Sequence, residues 1–428
     1  MADTRRTSDE GRVHELERLL EVARHLGATV ELDPLLLAIA SAATGVLDCE
    51  RATVFLHDRD AGELRSRLAT GANQSTIEEI RIPVTRGIAG EVARTGVPVN
   101  IPDAYADPRF NADVDRATGF RTRSMLTIPL ADHDGVTVGV LQLLNKRGGA
   151  FTPRDEELAT FLAGQAGVAL QRQTLLGHLV AKQRIERDLD IARTIQLALL
   201  PREPPRLAGF DIAGWNRPAD ATGGDSYDFY PLPDGRLAIT IADATGHGIG
   251  PALVISEMRA LFRGVALRTH ALDRAVGDVN DLLCADLLEG RFVTAFFGVV
   301  GPRDGGIEFL SAGQGPLLTF TAADGGVREL PTQGLPLGIV PGFDYSPCAS
   351  HRLAAGDMLV LLTDGFYEWE GADGLPYGTE RVAEVIRRHR DAPAAELIER
   401  LVADVEAFAA GTRQADDLTA VVLRRTHA

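Results

Sequence analysis

The sequence predicts two bodies of mixed class in series: an α/β module over residues 13–167 and an α+β layered sandwich over 208–428, joined by a helical linker over 168–207. Three observations carry this. The first part runs helix, hairpin, helix, strands, helix, which is enough to close one layered core. The stretch from Thr152 to Leu200 holds no proline and ends sharply at Pro201, Pro204 and Pro205. The last part has many strand-like runs and two pairs of helices without β-α-β alternation, which argues for stacked layers.

The elements follow in order. Residues 1–12 are charged and small and read as a frayed tail. From Val13 to Leu26 apolar residues recur at helical spacing, and Gly27 can end that helix. A second helix follows Pro34. Alternation over Ala52–His57, a turn at Asp58–Gly62 and a return run over Glu63–Leu68 predict a hairpin. A short helix over Gly87–Thr95 precedes strands at Ser124–Leu130 and Val136–Asn145. Thr152 caps the long helix, with Asp155 and Glu156 in its first turn where the helix dipole favours acids. On that helix a three-four ladder from Val168 through Ile185 and Leu189 to Leu199 is a weak pairing seam, and predicts a homodimer through the linker. After the prolines, strands are predicted at Phe210–Trp215, Leu237–Ile241, Val293–Val300, Gly306–Ala312, Leu317–Phe320, Met358–Leu362 and Leu418–Leu423. Helices are predicted at Pro251–Leu267, Leu272–Leu287, Thr379–His389 and Ala394–Ala409.

Composition narrows the function. Of the 428 residues 45% are hydrophobic and 24% charged, an ordinary globular balance. The net charge of −16 opposes non-specific attraction to nucleic acid or acidic lipid, so neither is expected as a direct partner. Cys49, Cys284 and Cys348 are few and far apart, which suits a reducing compartment and implies neither a disulfide framework nor a zinc site. The polar N-terminus and the lack of any run near ~18 apolar residues lead to a cytoplasmic expectation.

Four acidic positions stand out in the second part: Asp225 after Gly223-Gly224, Asp243 before Ala244, Asp364 before Gly365, and the pair Asp416-Asp417. Each lies at the end of a strand-like run, beside small or turn residues. One Asp-Gly is ordinarily a solvated turn, but four in this arrangement need another cause. Converging carboxylates repel one another and stay ionised only with cations between them. Hard oxygen donors suit Mg²⁺ or Mn²⁺ rather than zinc. Gly224-Asp225-Ser226 is no nucleophile elbow, and His247, in a glycine-rich turn, reads as structural rather than as a general base.

With those residues in view, segment 208–428 resembles the SpoIIE-like branch of the PPM-type metal-dependent serine/threonine phosphatases. The resemblance is carried by Gly223–Asp228, Ile241–Leu253, Phe292–Gly298, Ser311–Pro316, Gly334–Ile339, Gly356–Glu368 and Gln414–Thr419, with Glu186–Pro201 leading in. It implies an α-β-β-α sandwich with two Mn²⁺ or Mg²⁺ ions between the sheets. On the matching positions, Asp243 would bridge both ions, Ala244 would lend its carbonyl, and Asp225 and Asp364 would be ligands. Asp416 or Asp417 would complete the set, with Asp416 favoured. Asp228 would support the first motif from behind. A water held by the ions would attack phosphoserine or phosphothreonine in line. The chain departs from the family at Ser311, Gln314 and Gly315, where Asn and His are usual, and at Ser226, where a second Tyr is common.

Residues 14–175 resemble a GAF domain through Gly87–Gly90, Thr95-Gly96, Asn100–Phe110 and Gly119–Leu126. Asn145, Lys146, Phe151, Asp155 and Glu156 match the spaced signature of cyclic-nucleotide-binding GAF domains. Physically, Lys146 at a strand end and Asp155 in a helix's first turn can pair and pin helix to sheet. The same residues could close a pocket for a small molecule or cyclic nucleotide. The two resemblances together imply a GAF-regulated protein phosphatase acting on a phosphorylated STAS-type anti-sigma-factor antagonist. The competing class is a phosphatase-fold scaffold, weak or inactive in catalysis, that works by ligand-dependent partner binding.

Overall fold

The structure, a computed structural model, describes residues 17, 19–66, 80–266, 271–302 and 305–426. The expected tail 1–12 and the first residues of the first helix lie outside this set. The chain divides into two compact units, Met1–Gln183 and Arg184–Ala428.

The first unit opens with helix α1 (19–28) and α2 (Leu32–Leu47), followed by strands β1 (Cys49–Asp58), β2 (Glu63–Ser66) and β3 (Ile80–Pro83). Then come α3 (Gly87–Thr95), β4 (Val99–Ile101), a 3-10 turn at Ala104–Ala106, α4 (Asp113–Thr118), β5 (Met125–Ala131), β6 (Thr137–Lys146) and α5 (Pro153–Leu199). The six strands form one antiparallel sheet in the order β3-β2-β1-β6-β5-β4. Strand alternation sends Ala52 and Val54 to one face, against Leu35, Ile39, Leu158 and Leu162 of α2 and α5. It sends Phe55 and Val140 to the other, against Ile88 and Val92 of α3. Both faces are therefore covered. Strands β3 and β4 and helix α4 escape the sequence reading because each is short and lacks a full period of apolar residues.

Helix α5 is one unbroken element of 47 residues. Its core-facing residues end at Leu170, and Leu175, Leu179, Val180, Ile185, Ile191 and Ile195 are exposed beyond it.

The second unit contains β7 (Phe210–Arg217), β8 (Asp225–Pro231), β9 (Leu237–Ala244), α6 (Ile249–Ala266), α7 (Leu272–Asp286), β10 (Val293–Val300) and β11 (Gly306–Ala312). It continues with β12 (Leu317–Thr321), β13 (Gly326–Leu330), β14 (Ala349–Arg352), β15 (Met358–Leu362), α8 (Gly365–Glu368), α9 (Thr379–Arg388), α10 (Ala394–Ala409) and β16 (Leu418–Arg425). Two five-stranded sheets form, ordered β14-β11-β10-β9-β8 and β13-β12-β15-β16-β7. Their inner faces interdigitate through Tyr227, Phe229, Ile239, Phe296, Leu359 and Val421. The outer face of the first sheet packs on α6 and α7 through Ile255, Phe262, Val276 and Val279. The outer face of the second packs on α9 and α10 through Val382, Ile386, Leu397 and Leu401. The α-β-β-α sandwich is thus observed, and all seven strands read from the sequence are present.

Candidate metal centre

The acidic residues meet where strands from both sheets end. Asp225 opens β8 and lies directly opposite Asp243 of β9 in the antiparallel register. Asp364 follows β15, and Asp416-Asp417 precede β16 in the other sheet. The two sheets thus bring acids from four strand ends to one end of the sandwich.

Small residues make the approach possible. A Cβ on Gly224 would stand 2.6 Å from the Ala244 carbonyl oxygen, and one on Gly365 only 2.0 Å from the Asp417 carbonyl. Any side chain at either position would have to push a loop out of place.

Asp225 is buried, and its Oδ2 accepts hydrogen bonds from the hydroxyls of Thr363 (2.7 Å) and Thr419 (2.6 Å). Both threonines belong to the opposite sheet, so one carboxylate oxygen ties the layers together. Asp417 is also buried. Its Oδ1 accepts the Ala219 N–H at 2.7 Å and its Oδ2 the Asp225 N–H at 3.3 Å. Asp416 is exposed at the mouth, and its Oδ1 accepts a local bond from the Asp417 N–H at 2.8 Å. The two neighbours therefore differ in employment: Asp417 fixes loops, whereas Asp416 faces outward beside Asp364.

Electrostatics set this cluster apart. Burial, then the charges of Asp243 and Asp417, push the Asp225 carboxyl well above the usual range, against the two threonine hydroxyls. Asp243 is pushed up to about 8 by burial and by Asp364, Asp416 and Asp417, with a hydrogen bond from Asp225 acting the other way. Asp364 is pushed up to about 6 by burial, Asp416 and Glu368. Asp417 is raised by burial, and the N–H groups it accepts offset part of that. The principal charges acting on Asp225, Asp243 and Asp364 are other acids, an arrangement that favours protons or a cation.

The donor set fits a hard divalent cation: carboxylates plus the Ala244 carbonyl, with nothing soft among them. Among the described residues, no three His, Cys, Asp or Glu side chains are already drawn into a closed ligand set. Oxygens of Asp225, Asp416 and Asp417 are turned onto hydroxyls and backbone N–H groups.

Asp228 does not join the cluster. Three residues after Asp225 on β8, it points to the opposite face of the sheet by strand alternation. There it is buried against α6, with Arg263 Nε at 2.5 Å and Nη2 at 2.7 Å, and Arg259 Nε at 3.1 Å. The expected support of Asp225 is therefore corrected: Asp228 anchors a helix. These acids on both faces also hide β8 from a hydrophobicity pattern. Gln314, at a position where the chain departs from the family, is buried and bridges the sheets. It donates to the Leu362 carbonyl at 3.0 Å and accepts from Thr294 Oγ1 at 3.2 Å. One contact had no sequence signal: Gln196, near the end of α5, donates to the Gly223 carbonyl at 2.6 Å and accepts its N–H at 3.1 Å.

In the first unit the signature residues build the β6–α5 junction. Lys146 Nζ lies 2.8 Å from Asp155 Oδ1 and 2.9 Å from the Leu47 carbonyl. Asp155 Oδ2 accepts the Thr152 N–H at 2.8 Å, closing a capping arrangement at the head of α5. Burial would raise the Asp155 carboxyl, but the bonds from Lys146 and Thr152 outweigh it and hold it below its usual value. Asn145 is buried at φ +59° and accepts the Arg123 N–H at 2.6 Å while donating to Glu50 and the Arg121 carbonyl. Phe151 fills the core and Glu156 lies half-buried in the first turn of α5.

Comparison with known proteins agrees with this division. The family model for Stage II sporulation protein E (SpoIIE) matches residues 233–426, and that for the GAF domain matches residues 31–170. The chain carries an N-terminal GAF domain followed by a PP2C-like phosphatase domain of the SpoIIE type. Among solved structures, it is similar to the SiaA-PP2C domain of Pseudomonas aeruginosa. That match is 26% identical with a TM-score of 0.50, over 57% of this chain and 98% of the other. The RsbU and RsbW domains of Rv1364c from Mycobacterium tuberculosis match at 28% identity and a TM-score of 0.45, over 52% of this chain and 61% of that one. A probable 3',5'-cyclic phosphodiesterase, pde-5 of Caenorhabditis elegans, is 37% identical over 167 residues, 37% of this chain and 23% of that protein's length.

Proposed function

We propose that this chain is a GAF-regulated protein phosphatase that removes phosphate from phosphoserine or phosphothreonine using two Mn²⁺ or Mg²⁺ ions. The observation that carries the reading is the set of buried and half-buried aspartates from four strand ends whose principal neighbouring charges are other acids. Asp243 would bridge the ions, with Asp225, Asp364, Asp416 and the Ala244 carbonyl completing the ligands and Asp417 holding the loops. Bound there, the cations would activate a water and neutralise the phosphoryl group. The protein supplies the rest. Thr363 and Thr419 fix the Asp225 rotamer, and Asp417 braces the loops before β8 and β16. Purified protein with Mn²⁺ is expected to hydrolyse a generic phosphate ester, and Asp243→Asn to lose more than the ~10–100-fold that outer-shell partners cost. Equal rates in both proteins would refute the reading and favour the scaffold alternative.

By family resemblance, the substrate is a phosphorylated STAS-type anti-sigma-factor antagonist, and the setting is cytoplasmic. We divide the chain into GAF domain 13–167, linker 168–207 and phosphatase domain 208–428, with a small molecule or cyclic nucleotide as the GAF ligand. The exposed apolar residues of α5 support a homodimer through this helix. Making Ile185 and Leu189 polar is expected to yield a monomer, and a monomeric parent in every state would exclude the dimer.

A further inference from the structure

We infer that Arg413 receives the phosphate group of the substrate at the mouth of the aspartate cluster. The inference rests on the phosphatase reading and adds a residue that neither the motifs nor the ligand chemistry supplies. A phosphate ester approaching a ring of acids needs a fixed cation beside the metal ions to orient it. Three loops border this mouth: the one before β8, the one after β9 and the one before β16. Asp220 of the first loop joins the other two. It stands 2.9 Å from His247 Nδ1 and 3.1 Å from the Arg413 guanidinium. The Arg413 side chain is 84% exposed. An exposed ion pair of this kind holds weakly, so the guanidinium is aimed yet free to change partner. Its planar fork suits two phosphate oxygens at once.

The loop that carries Arg413 is braced rather than loose. Gln414 donates to the carbonyls of Arg217 (3.1 Å) and Asp416 (2.9 Å) and accepts from Arg217 Nε at 3.0 Å. Arg413 and Asp416 line one cavity of about 370 Å³ together with Gly365, the neighbour of Asp364. The cavity thus reaches one expected ligand, Asp416, and the residue next to another. Glu368 and Glu370 line the same cavity and repel an anion, which leaves Arg413 as the cationic side chain among its lining residues. The nearby Arg217 and Arg291 are engaged, the first by Gln414 and Glu406, the second by the Thr245 carbonyl.

The test compares the full chain with Arg413→Ala and Arg413→Lys, loaded with Mn²⁺. Hydrolysis of para-nitrophenyl phosphate and inhibition by inorganic phosphate are measured, and thermal melting confirms folding. Arg413→Ala is expected to raise both KM and the inhibition constant about tenfold with kcat within about threefold, and Lys to restore part of the loss. Unchanged KM and inhibition constant would overturn the assignment. Should the parent show no turnover, the phosphatase reading fails on its own. Calorimetric titration of the Mn²⁺-loaded proteins with inorganic phosphate then still judges Arg413: weaker binding in the Ala variant supports it, and equal binding overturns it.

Discussion

The two units each bury aspartate, and they treat it in opposite ways. In the first, Asp155 lies against Lys146 and under Thr152, so its charge is answered within the chain and its carboxyl is held low. In the second, burial and other acids act on Asp225, Asp243 and Asp364, and their carboxyls are pushed up. A closed ion pair is a fastener. A set of acids acting on one another favours protons or a bound cation. The difference separates an aspartate whose charge is answered within the chain from aspartates surrounded by other acids.

Among substitutions, breaking the fastener gives the largest effect on stability. Lys146→Met leaves Asp155 buried without its cation and is expected to cost about 3 kcal/mol in chemical denaturation. Adding Asp155→Leu should recover much of the loss. If Lys146→Met alone costs nothing, the pair is not what pins α5 to the sheet.

The neighbours Asp416 and Asp417 sharpen the contrast inside the second unit. Asp417→Ala orphans one buried and one half-buried N–H group and is expected to cost about 2 kcal/mol, the relief of repulsion offsetting only part of this. Asp416→Ala should change stability by less than about 1 kcal/mol yet weaken the Mn²⁺-induced rise in melting temperature. The reverse pattern would transfer the ligand role to Asp417.

A slope against pH tests the same contrast without a substitution. In cation-free protein, Asp243 and Asp364 hold protons above the ordinary value near 3.8, up to about 8 and about 6. Their folded carboxyls bind protons that the unfolded chain has released. The stability they contribute is therefore full below about pH 4 and is lost as pH rises through about 6 and then about 8, by at most about 1.4 kcal/mol per pH unit for each group. Asp155 runs the other way: its contribution is present above its ordinary value and is lost on acidification. Saturating Mn²⁺ should flatten the neutral-range slope. Melting curves from pH 5 to 8, with and without the cation, read this directly, and a flat cation-free curve would remove the electrostatic argument.

Most of the second unit's architecture is legible from sequence, because its central strands are apolar on both faces. Met358–Leu362 is buried throughout and its limits follow from composition alone. Strand β8 is not legible, since Asp225 serves the cleft and Asp228 serves α6, so the strand looks polar. Strands β13 and β14 stand at the sheet edges, half-exposed, where alternation is weak. The four acidic sites are legible through their glycine and strand-end context. The different employment of Asp416 and Asp417 is not, because it depends on N–H groups of a loop some 200 residues earlier in the chain. For the same reason, no local pattern reveals the two threonines on Asp225 or the grip of Gln196 on Gly223.

That sequence separation has a consequence for assembly. Strand β7 pairs with β16, and Asp225 takes its hydroxyl from a residue 194 positions later. Contacts of such separation close late, after the entropy of the whole intervening chain has been overcome. During synthesis the first unit can complete its core while the second still lacks its last strand. The acids gather only when that strand arrives, so cation affinity should be among the last properties the nascent chain acquires. Recovery of cation binding then times the end of folding.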